Sequence, residues 1–186
     1  MKERVKEIKL INTDGTEVTA RFKMLDLDYI DKIIELEEEV INKLADKDLY
    51  AITTREEYIE CITCGGYILG CVTLDDELVA IGVYVKYGYS EHNYGYDLDI
   101  SGDELLYVGQ IQSTAVKEEY RGNGLQRTIC NKLENIARKE DTKVLGATVS
   151  PKNLYSLNNF KGMGFTVQKE KIKYGNYLRY ILKKEL

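Results

Sequence analysis

Alternation of apolar and polar positions predicts two β-hairpins in the first half of the chain. The segments "RVKEIKLI" and "EVTARFKML" alternate on either side of Asn12-Thr13-Asp14-Gly15, a turn sequence that supplies the positive backbone angles of a tight hairpin. Residues 1–25 are therefore predicted to form an opening hairpin. Two apolar segments, Tyr67–Leu74 and Leu78–Tyr87, flank the turn "DDE" and predict a second hairpin.

Helical spacing appears twice before the second hairpin. From Asp28 to Leu44 apolar residues recur on one face, while Glu35 and Glu37 to Glu39 fall on other faces and are predicted to face solvent. A shorter helix is predicted to begin after Thr54, because a glutamate three residues later completes a capping box, and to end at Gly65-Gly66.

The second half of the chain alternates strands with helices. Strands are predicted at "LLYVGQIQSTAVK" (Leu105–Lys117), "KVLGATVS" (143–150) and "YLRYILKK". A helix is predicted after Gly124, and another at Asn153–Gly162. The apolar stripe of the former consists of Leu125, Ile129, Leu133, Ile136 and Ala137. Strand-helix-strand units beside hairpins predict an α/β (α+β) fold with a mixed central sheet of about seven strands and about four flanking helices.

Residues 86–104, "KYGYSEHNYGYDLDISGDE", contain many tyrosines, glycines and acids without a sustained period. We interpret them as a long loop between strands, which is either part of a functional site or simply exposed to solvent. Tyrosine faces and carboxylates suit a cationic amine. The residues considered for that role are Tyr87, Tyr89, Tyr94, Tyr96, Asp97, Asp99, Asp103 and Glu104.

Composition favours one globular domain over residues 1–186. The chain is 44% hydrophobic and 31% charged, and its longest apolar run, Leu78–Val85, is far shorter than a membrane span. We therefore predict a cytoplasmic protein without a membrane partner. The net charge of −5 and the lack of a basic block argue against nucleic-acid binding.

Four cysteines in a chain of this length do not suggest a disulfide framework. Cys61, Cys64 and Cys71 together with His92, the only histidine, could supply four zinc ligands. The second pair lacks the close spacing of recognisable zinc sites, however, so we predict reduced thiols and no metal.

The segment "EEYRGNGLQRTIC" (118–130) carries the strongest chemical signal. A strand leads into Arg121-Gly122-Asn123-Gly124 and a helix follows, so the first turn of helical N–H groups is unpaired and points at a glycine corner. This arrangement predicts a phosphate or pyrophosphate site. The corner lacks the third glycine of a dinucleotide fingerprint, and "GGYILGC" lacks the lysine of a P-loop.

The same segment resembles motif A of the GNAT superfamily of acyl-CoA-dependent N-acetyltransferases, Q/R-x-x-G-x-G/A. Arg121 and Gly124 match the motif, and Gln126 stands where the family prefers Gly or Ala. A second segment, Asn153-x-x-Ser156-x-x-Asn159-Phe160 running into Gly164-Phe165, resembles N-x-x-A/S-x-x-L-Y…G-F of that family. The two matches occur in the family's order and spacing. The resemblance implies a sheet that splays between the family's fourth and fifth strands.

The resemblance also implies an acetyl-CoA site. The pantetheine arm would pair with the backbone of Thr114, Ala115 and Val116 in the gap where the sheet splays. Backbone amides of the corner would hold the pyrophosphate, arginines would contact phosphate oxygens, and Gln126 would crowd the site. The residues implied at the corner are Arg121, Gly122, Asn123, Gly124, Leu125, Gln126 and Arg127. Asn153, Ser156 and Phe160 would face the pantetheine or the acetyl group.

Catalytic residues are where the pattern of the family is incomplete. The resemblance implies that the Val116 N–H stabilises the oxyanion. Phe160 stands where the family often has a tyrosine that protonates the leaving thiolate, and Tyr155 is a candidate substitute. Gln112, which shares a strand face with Gln110, could orient substrate or water, and Glu104 could receive a proton through that water.

The function implied is transfer of an acetyl group from acetyl-CoA to a primary amine of a small molecule, by a monomer or homodimer. Two alternatives remain open: an acyl-CoA-binding module without catalysis, and an acetyltransferase acting on a protein or peptide.

Overall fold

The computed structural model describes residues 6–186, which form eight strands and four α-helices. The strands are β1 (Glu7–Ile11), β2 (Glu17–Leu25), β3 (Tyr67–Thr73), β4 (Leu78–Val85), β5 (Val108–Val116), β6 (Val144–Val149), β7 (Thr166–Lys173) and β8 (Tyr177–Glu185). The helices are α1 (Ile30–Asn42), α2 (Arg55–Thr63), α3 (Leu125–Lys139) and α4 (Leu154–Gly162). None of these helices has the length and apolar character needed to span a membrane.

One sheet contains all eight strands in the order β1-β2-β3-β4-β5-β6-β8-β7. Only β5 and β6 are parallel among the pairs of the described chain. Their pairing runs from Val108↔Val144 to Ile111↔Ala147 and then stops, although β5 continues to Val116. The predicted splay is therefore present between β5 and β6, and it leaves residues 112–116 of β5 beside a gap.

The helices cover the two faces of the sheet in pairs. Helices α1 and α2 pack on one apolar cluster, which includes Ile33 and Tyr58, and α3 and α4 pack on the other, which includes Leu133 and Phe160. The apolar stripe predicted for α3 forms the centre of the second cluster. Thr54 and Glu57 form the predicted capping box of α2.

The opening hairpin is present as β1 and β2, while residues 1–5 of that prediction lie outside the described residues. The sheet has eight strands instead of about seven because β7 was missed. The sequence of β7, "TVQKEKIK", is polar and mostly exposed. As an edge strand that pairs only with β8, it has no buried face and so produces no apolar alternation.

The strand predicted from Leu105 begins three residues later, at Val108. Residues Gly102–Tyr107 form a 3-10 turn in which Leu105 is buried. Leu105 therefore packs as part of the turn, and the Tyr107 carbonyl accepts a hydrogen bond from the Lys143 N–H at 2.8 Å just before the ladder of β5 and β6 begins. The long loop between β4 and β5 accordingly extends over residues 86–107, with a second 3-10 turn at Tyr96–Leu98.

Candidate active site

The glycine corner between β5 and α3 is open to a ligand. Gly122 and Gly124 have φ angles of 85° and 67°, and a Cβ atom at either position would meet nothing within 4 Å. No side chain caps α3. Among the described residues, the N–H groups of Gly122, Asn123 and Gly124 donate to no protein acceptor. Unpaired amides at a helix N-terminus are the donor set that a phosphate requires.

The side chain of Asn123 fixes this corner in place. Its Nδ2 donates to the Ile11 carbonyl at 2.8 Å and to the Tyr120 carbonyl at 2.9 Å, and its Oδ1 accepts from the Ile11 N–H at 2.8 Å. The corner is therefore tied to the end of β1. Sequence analysis assigned Asn123 only a backbone role and did not detect this contact, because the partner lies 112 residues away.

A cavity of about 430 Å³, here called the corner groove, runs from the glycine corner along the unpaired end of β5. Ten of the residues predicted to bind the cofactor line it: Thr114, Ala115, Val116, Arg121, Gly122, Gly124, Leu125, Gln126, Asn153 and Ser156. The structure thus brings both sequence segments, from α3 and α4, to one groove. Arg127 is absent from the lining, and its guanidinium lies beside Gly162 of α4.

Gln126 does not project into the corner as expected. Its Nε2 donates to Thr114 Oγ1 and to Ser156 Oγ, each at 3.0 Å, and its Oε1 accepts from Asn159 Nδ2 at 2.7 Å. The side chain thereby links α3 to α4 and to β5. Because these hydrogen bonds hold its amide between β5 and α4, we expect the side chain to leave the N–H groups of the corner free for the pyrophosphate.

A second cavity, of about 350 Å³, lies next to the corner groove. We call it the polar cavity, since carboxylates, amides, hydroxyls and cations from α2, the long loop, β5, β6 and β8 line it. The two cavities share five lining residues: Leu49, Tyr50, Thr114, Asn153 and Ser156. These residues mark a junction at which a ligand in the groove would meet a ligand in the polar cavity.

A buried carboxylic acid lies behind this junction. Glu37 of α1 is 2% exposed, so the expectation that it faces solvent is wrong. The Tyr50 hydroxyl donates to Glu37 Oε1 at 2.7 Å. Burial raises the pKa of Glu37 to about 7, and the hydrogen bond from Tyr50 acts in the opposite direction. Burial also raises the pKa of Tyr50 well above 10, so that its hydroxyl stays protonated.

The comparisons with known proteins agree with this geometry. Residues 31–165 match the model of the acetyltransferase (GNAT) family. The chain belongs to the GNAT acetyltransferase family. It is accordingly an acyltransferase, and the fold that the sequence resemblance implied is confirmed.

Solved structures resemble this GNAT acetyltransferase at low sequence identity. A protein of Acinetobacter baylyi assigned as an acetyltransferase is 18% identical, with a TM-score of 0.68 over 90% of this chain and 93% of that one. A Salmonella typhimurium protein solved with acetyl-CoA is 16% identical, with a TM-score of 0.66 over 89% of this chain and 93% of that one. A ribosomal-protein-alanine N-acetyltransferase of Brucella melitensis is 19% identical, with a TM-score of 0.65 over 89% of this chain and 99% of that one. No curated protein matches the chain significantly.

The three predicted catalytic residues of this GNAT acetyltransferase occupy different places. Gln112 lines the polar cavity and accepts a hydrogen bond from Gln110 at 3.0 Å. Tyr155 is 62% exposed and lines the corner groove only. Glu104 is exposed on a 3-10 turn and lines neither cavity, so the structure does not place it near the reacting atoms.

Phe160 and Val116 lie to either side of the junction. Phe160 is buried, lines the polar cavity and not the corner groove, and packs edge-on against Phe165 with ring centroids 5.1 Å apart. It therefore borders the polar cavity, and its phenyl ring cannot donate a proton. Val116 lines the corner groove alone, two residues beyond Thr114, which lines both cavities.

Two carboxylates of the long loop hold it to β7. Asp97 forms salt bridges with Lys171 and Lys173 of β7, and Asp99 forms one with Lys169. Of the loop tyrosines only Tyr87 and Tyr94 line the polar cavity. The expectation that the carboxylates from Asp97 to Glu104 collect a cationic amine is therefore not supported by their positions.

The acidic residues that do line the polar cavity are Glu57 and Glu91, and His92 lies beside them. Sequence analysis missed both glutamates, because Glu57 was explained by its capping role and Glu91 has no pattern around it. Gln110 is buried, and its Oε1 accepts a hydrogen bond from the Tyr94 N–H at 3.0 Å. That bond anchors the long loop over the cavity.

Within residues 6–186, no group of three or more His, Cys, Asp and Glu side chains is arranged to hold a metal ion. The four cysteines are free thiols. Cys61, Cys71 and Cys130 are buried, which raises the pKa of each to about 12, while Cys64 is exposed.

We expect only Cys64 to react within minutes with a thiol reagent at pH 8 in the native protein, because the thiolate is the reactive form and burial suppresses it. All four thiols are expected to react in denaturant without reductant. Spectrophotometric titration with a disulfide reagent measures the number of reactive thiols in the native and in the denatured protein. A Cys64→Ser variant serves as the control and should show no fast reaction.

Proposed function

We propose that this GNAT acetyltransferase transfers the acetyl group of acetyl-CoA to a primary amine of a small molecule. The observation that carries the proposal is the meeting of the corner groove and the polar cavity at Tyr50, Thr114, Asn153 and Ser156. The corner groove has the hydrogen-bond donors that an elongated anionic ligand needs. The polar cavity has room and polar groups for a second, smaller molecule. The acetyl donor would enter through the first and the acceptor through the second.

The residues of the corner groove fit acetyl-CoA. Its pyrophosphate would accept hydrogen bonds from the unpaired amides of the glycine corner, with Arg121 beside them. The peptide groups of Thr114, Ala115 and Val116 border the gap of the sheet and would pair with the pantetheine arm as an added strand would. The Salmonella typhimurium protein, solved with acetyl-CoA, supports the choice of this ligand.

Bound acetyl-CoA supplies an activated acetyl thioester. The chain must then manage one proton, because the attacking amine loses a proton and the leaving sulphur gains one. Tyr50 lines the junction, and its hydroxyl donates to the buried Glu37 carboxyl at 2.7 Å. We assign to this pair the role that Phe160 cannot perform.

The pKa of Glu37 near 7 suits this role. At neutral pH the carboxyl is partly ionised, so it can accept a proton through the Tyr50 hydroxyl and return it by the same path. Tyr50 itself remains a neutral phenol and acts only as a relay. Gln112, which lines the polar cavity, would orient the acceptor.

The size of the polar cavity favours a small acceptor. A volume of about 350 Å³ is at the low end of the range for ligand pockets. The Brucella melitensis structure, named as a ribosomal-protein-alanine N-acetyltransferase, favours the other acceptor class, a protein N-terminus. Assays with both classes of acceptor therefore decide between them.

The experiment is a turnover assay with acetyl-CoA in which release of free CoA is followed for a panel of small amines and for peptides with free N-termini. We expect acetylation of small amines, confirmed by mass spectrometry of the product. Acetylation restricted to peptides would favour the protein-directed alternative. Tight acetyl-CoA binding in calorimetry without turnover of any acceptor would identify an acyl-CoA-binding module instead.

A further inference from the structure

Arg179 of β8 is a buried cation that lines the polar cavity. Only 3% of the residue is exposed. Its Nη1 donates to the carbonyl of its neighbour Leu178 at 2.9 Å, and its Nη2 is buried without a hydrogen-bond partner among the described residues. Its guanidinium carbon lies 4.9 Å from the centre of the Tyr177 ring. No carboxylate of residues 6–186 forms a salt bridge with it.

The other cation from the last strands that lines the cavity has a carboxylate partner. Lys173 lines the same cavity but forms a salt bridge with the buried Asp97, which also pairs with Lys171. Arg179 lacks such a partner among the described residues. Burying a charge without a partner is costly, and such charges are normally paired with an opposite charge or a ligand. The planar guanidinium matches a carboxylate through two parallel hydrogen bonds.

Two carboxylates also line the polar cavity. Glu57, at the start of α2, and Glu91, in the long loop, both line it, and neither forms a salt bridge within the described part of the chain. The polar cavity therefore offers carboxylates from α2 and the loop, and one unpaired guanidinium from β8. A small molecule that carries both an amine and a carboxylate would satisfy both.

We propose that the acceptor of this acetyltransferase is an amine that also carries a carboxylate, such as a free amino acid, and that Arg179 binds that carboxylate. The inference rests on the proposed function and specifies its substrate class. A single unpaired cation matches a monoanion, which favours a carboxylate over a phosphate dianion. Glu57 and Glu91 attract the ammonium form, and the amine loses its proton before attack.

Matched pairs of acceptors test the inference in the wild-type protein. Each pair is an amino acid and its decarboxylated counterpart: phenylalanine with phenethylamine, tyrosine with tyramine, lysine with cadaverine, and 4-aminobutyrate with propylamine. For the accepted pair we expect kcat/KM to be at least tenfold higher for the member with the carboxylate, with the difference mainly in KM. Equal kcat/KM values for both members would overturn the inference and leave the proposed function intact.

Arg179→Met is the corresponding variant, since methionine keeps the length of the side chain and removes its charge. We expect the carboxylate preference to disappear through a higher KM for the member with the carboxylate, while calorimetric acetyl-CoA affinity stays unchanged. Arg179→Lys should keep part of the preference, because the charge remains without the planar fork. A preference that survives in Arg179→Met would refute the role of Arg179.

If the proposed function is wrong, the acetylation assays give a different result. In that case acetyl-CoA binds but no member of any pair is acetylated. The carboxylate site is then judged by calorimetric titration of phenylalanine, lysine and 4-aminobutyrate into the acetyl-CoA-bound wild-type protein and the Arg179→Met variant. Binding that the variant loses supports the site, and no binding to either protein refutes it. Arg179→Met should fold, because it leaves no carboxylate unpaired and removes only one hydrogen bond, to the Leu178 carbonyl, and the contact with the Tyr177 ring.

Discussion

Replacing Gly124 by aspartate is expected to weaken acetyl-CoA binding by at least tenfold in calorimetry. Two effects act together at this position. The φ angle of 67° disfavours any residue with a Cβ atom, and a carboxylate at the helix N-terminus would compete with the pyrophosphate for the unpaired amides and repel it. A tenfold loss corresponds to about 1.4 kcal/mol, which a single misplaced charge can supply.

Two control variants separate these effects. Gly124→Ala introduces the backbone strain without the charge and should lose much less affinity. Gly65→Asp places an aspartate at a φ of 87°, also with nothing within 4 Å, but Gly65 follows α2 and lines neither cavity. Its acetyl-CoA affinity should equal that of the wild type. If Gly124→Asp also bound acetyl-CoA as tightly as the wild type, the glycine corner would not be the pyrophosphate site.

Replacing Tyr50 by phenylalanine is expected to lower kcat on the order of a hundredfold, because the proton relay loses its hydroxyl while the ring that lines both cavities remains. Acetyl-CoA affinity should not change. Tyr155→Phe is the matched control: it removes the hydroxyl that sequence analysis named as a candidate, from a side chain that lines the corner groove only. A large loss in Tyr155→Phe with none in Tyr50→Phe would transfer the role to Tyr155.

The pH dependence provides a second readout of the same pair. Glu37 accepts a proton only when ionised, so kcat should rise with pH through the Glu37 pKa of about 7. Glu37→Gln should lower kcat and abolish that inflection, leaving only the rise caused by deprotonation of the acceptor amine. Steady-state kinetics between pH 5.5 and 9, taken at saturating acetyl-CoA on the order of ten times its KM, measure both profiles. An unchanged inflection near 7 in Glu37→Gln would contradict the assignment.

The stability of the protein should reflect the same carboxyl. Its pKa in the folded protein, about 7, lies above the ordinary value of 4.5. The neutral form is therefore favoured by folding, and the associated stability is present below pH 4.5 and lost as pH rises through 7. Glu37→Gln keeps the shape of the side chain without the charge, so its urea midpoint relative to wild type should be higher at pH 8 than at pH 5. Equal differences at both pH values would show that Glu37 does not titrate as described.

Local patterns determined much of the fold. The stripe of α3, the capping box at Thr54 and Glu57, and the turn at residues 12–15 depend on neighbours within a few positions, so they can be read from the sequence. The glycine corner is of the same kind, because a helix start beside glycines leaves amides unpaired wherever it occurs. The lining of the corner groove could therefore be predicted almost residue by residue.

The properties of the polar cavity and of the buried pair beside it were decided by the tertiary structure. Glu37 has the spacing of a solvent-facing residue, yet packing of α1 against the segment around Tyr50 buries it and raises its pKa. Arg179 is one of several cations in the last strands, and it differs from Lys173, which lines the same cavity, in being buried without a carboxylate partner among the described residues. The charge and proton affinity of these groups depend on burial and on partners distant in sequence, and a local pattern contains neither.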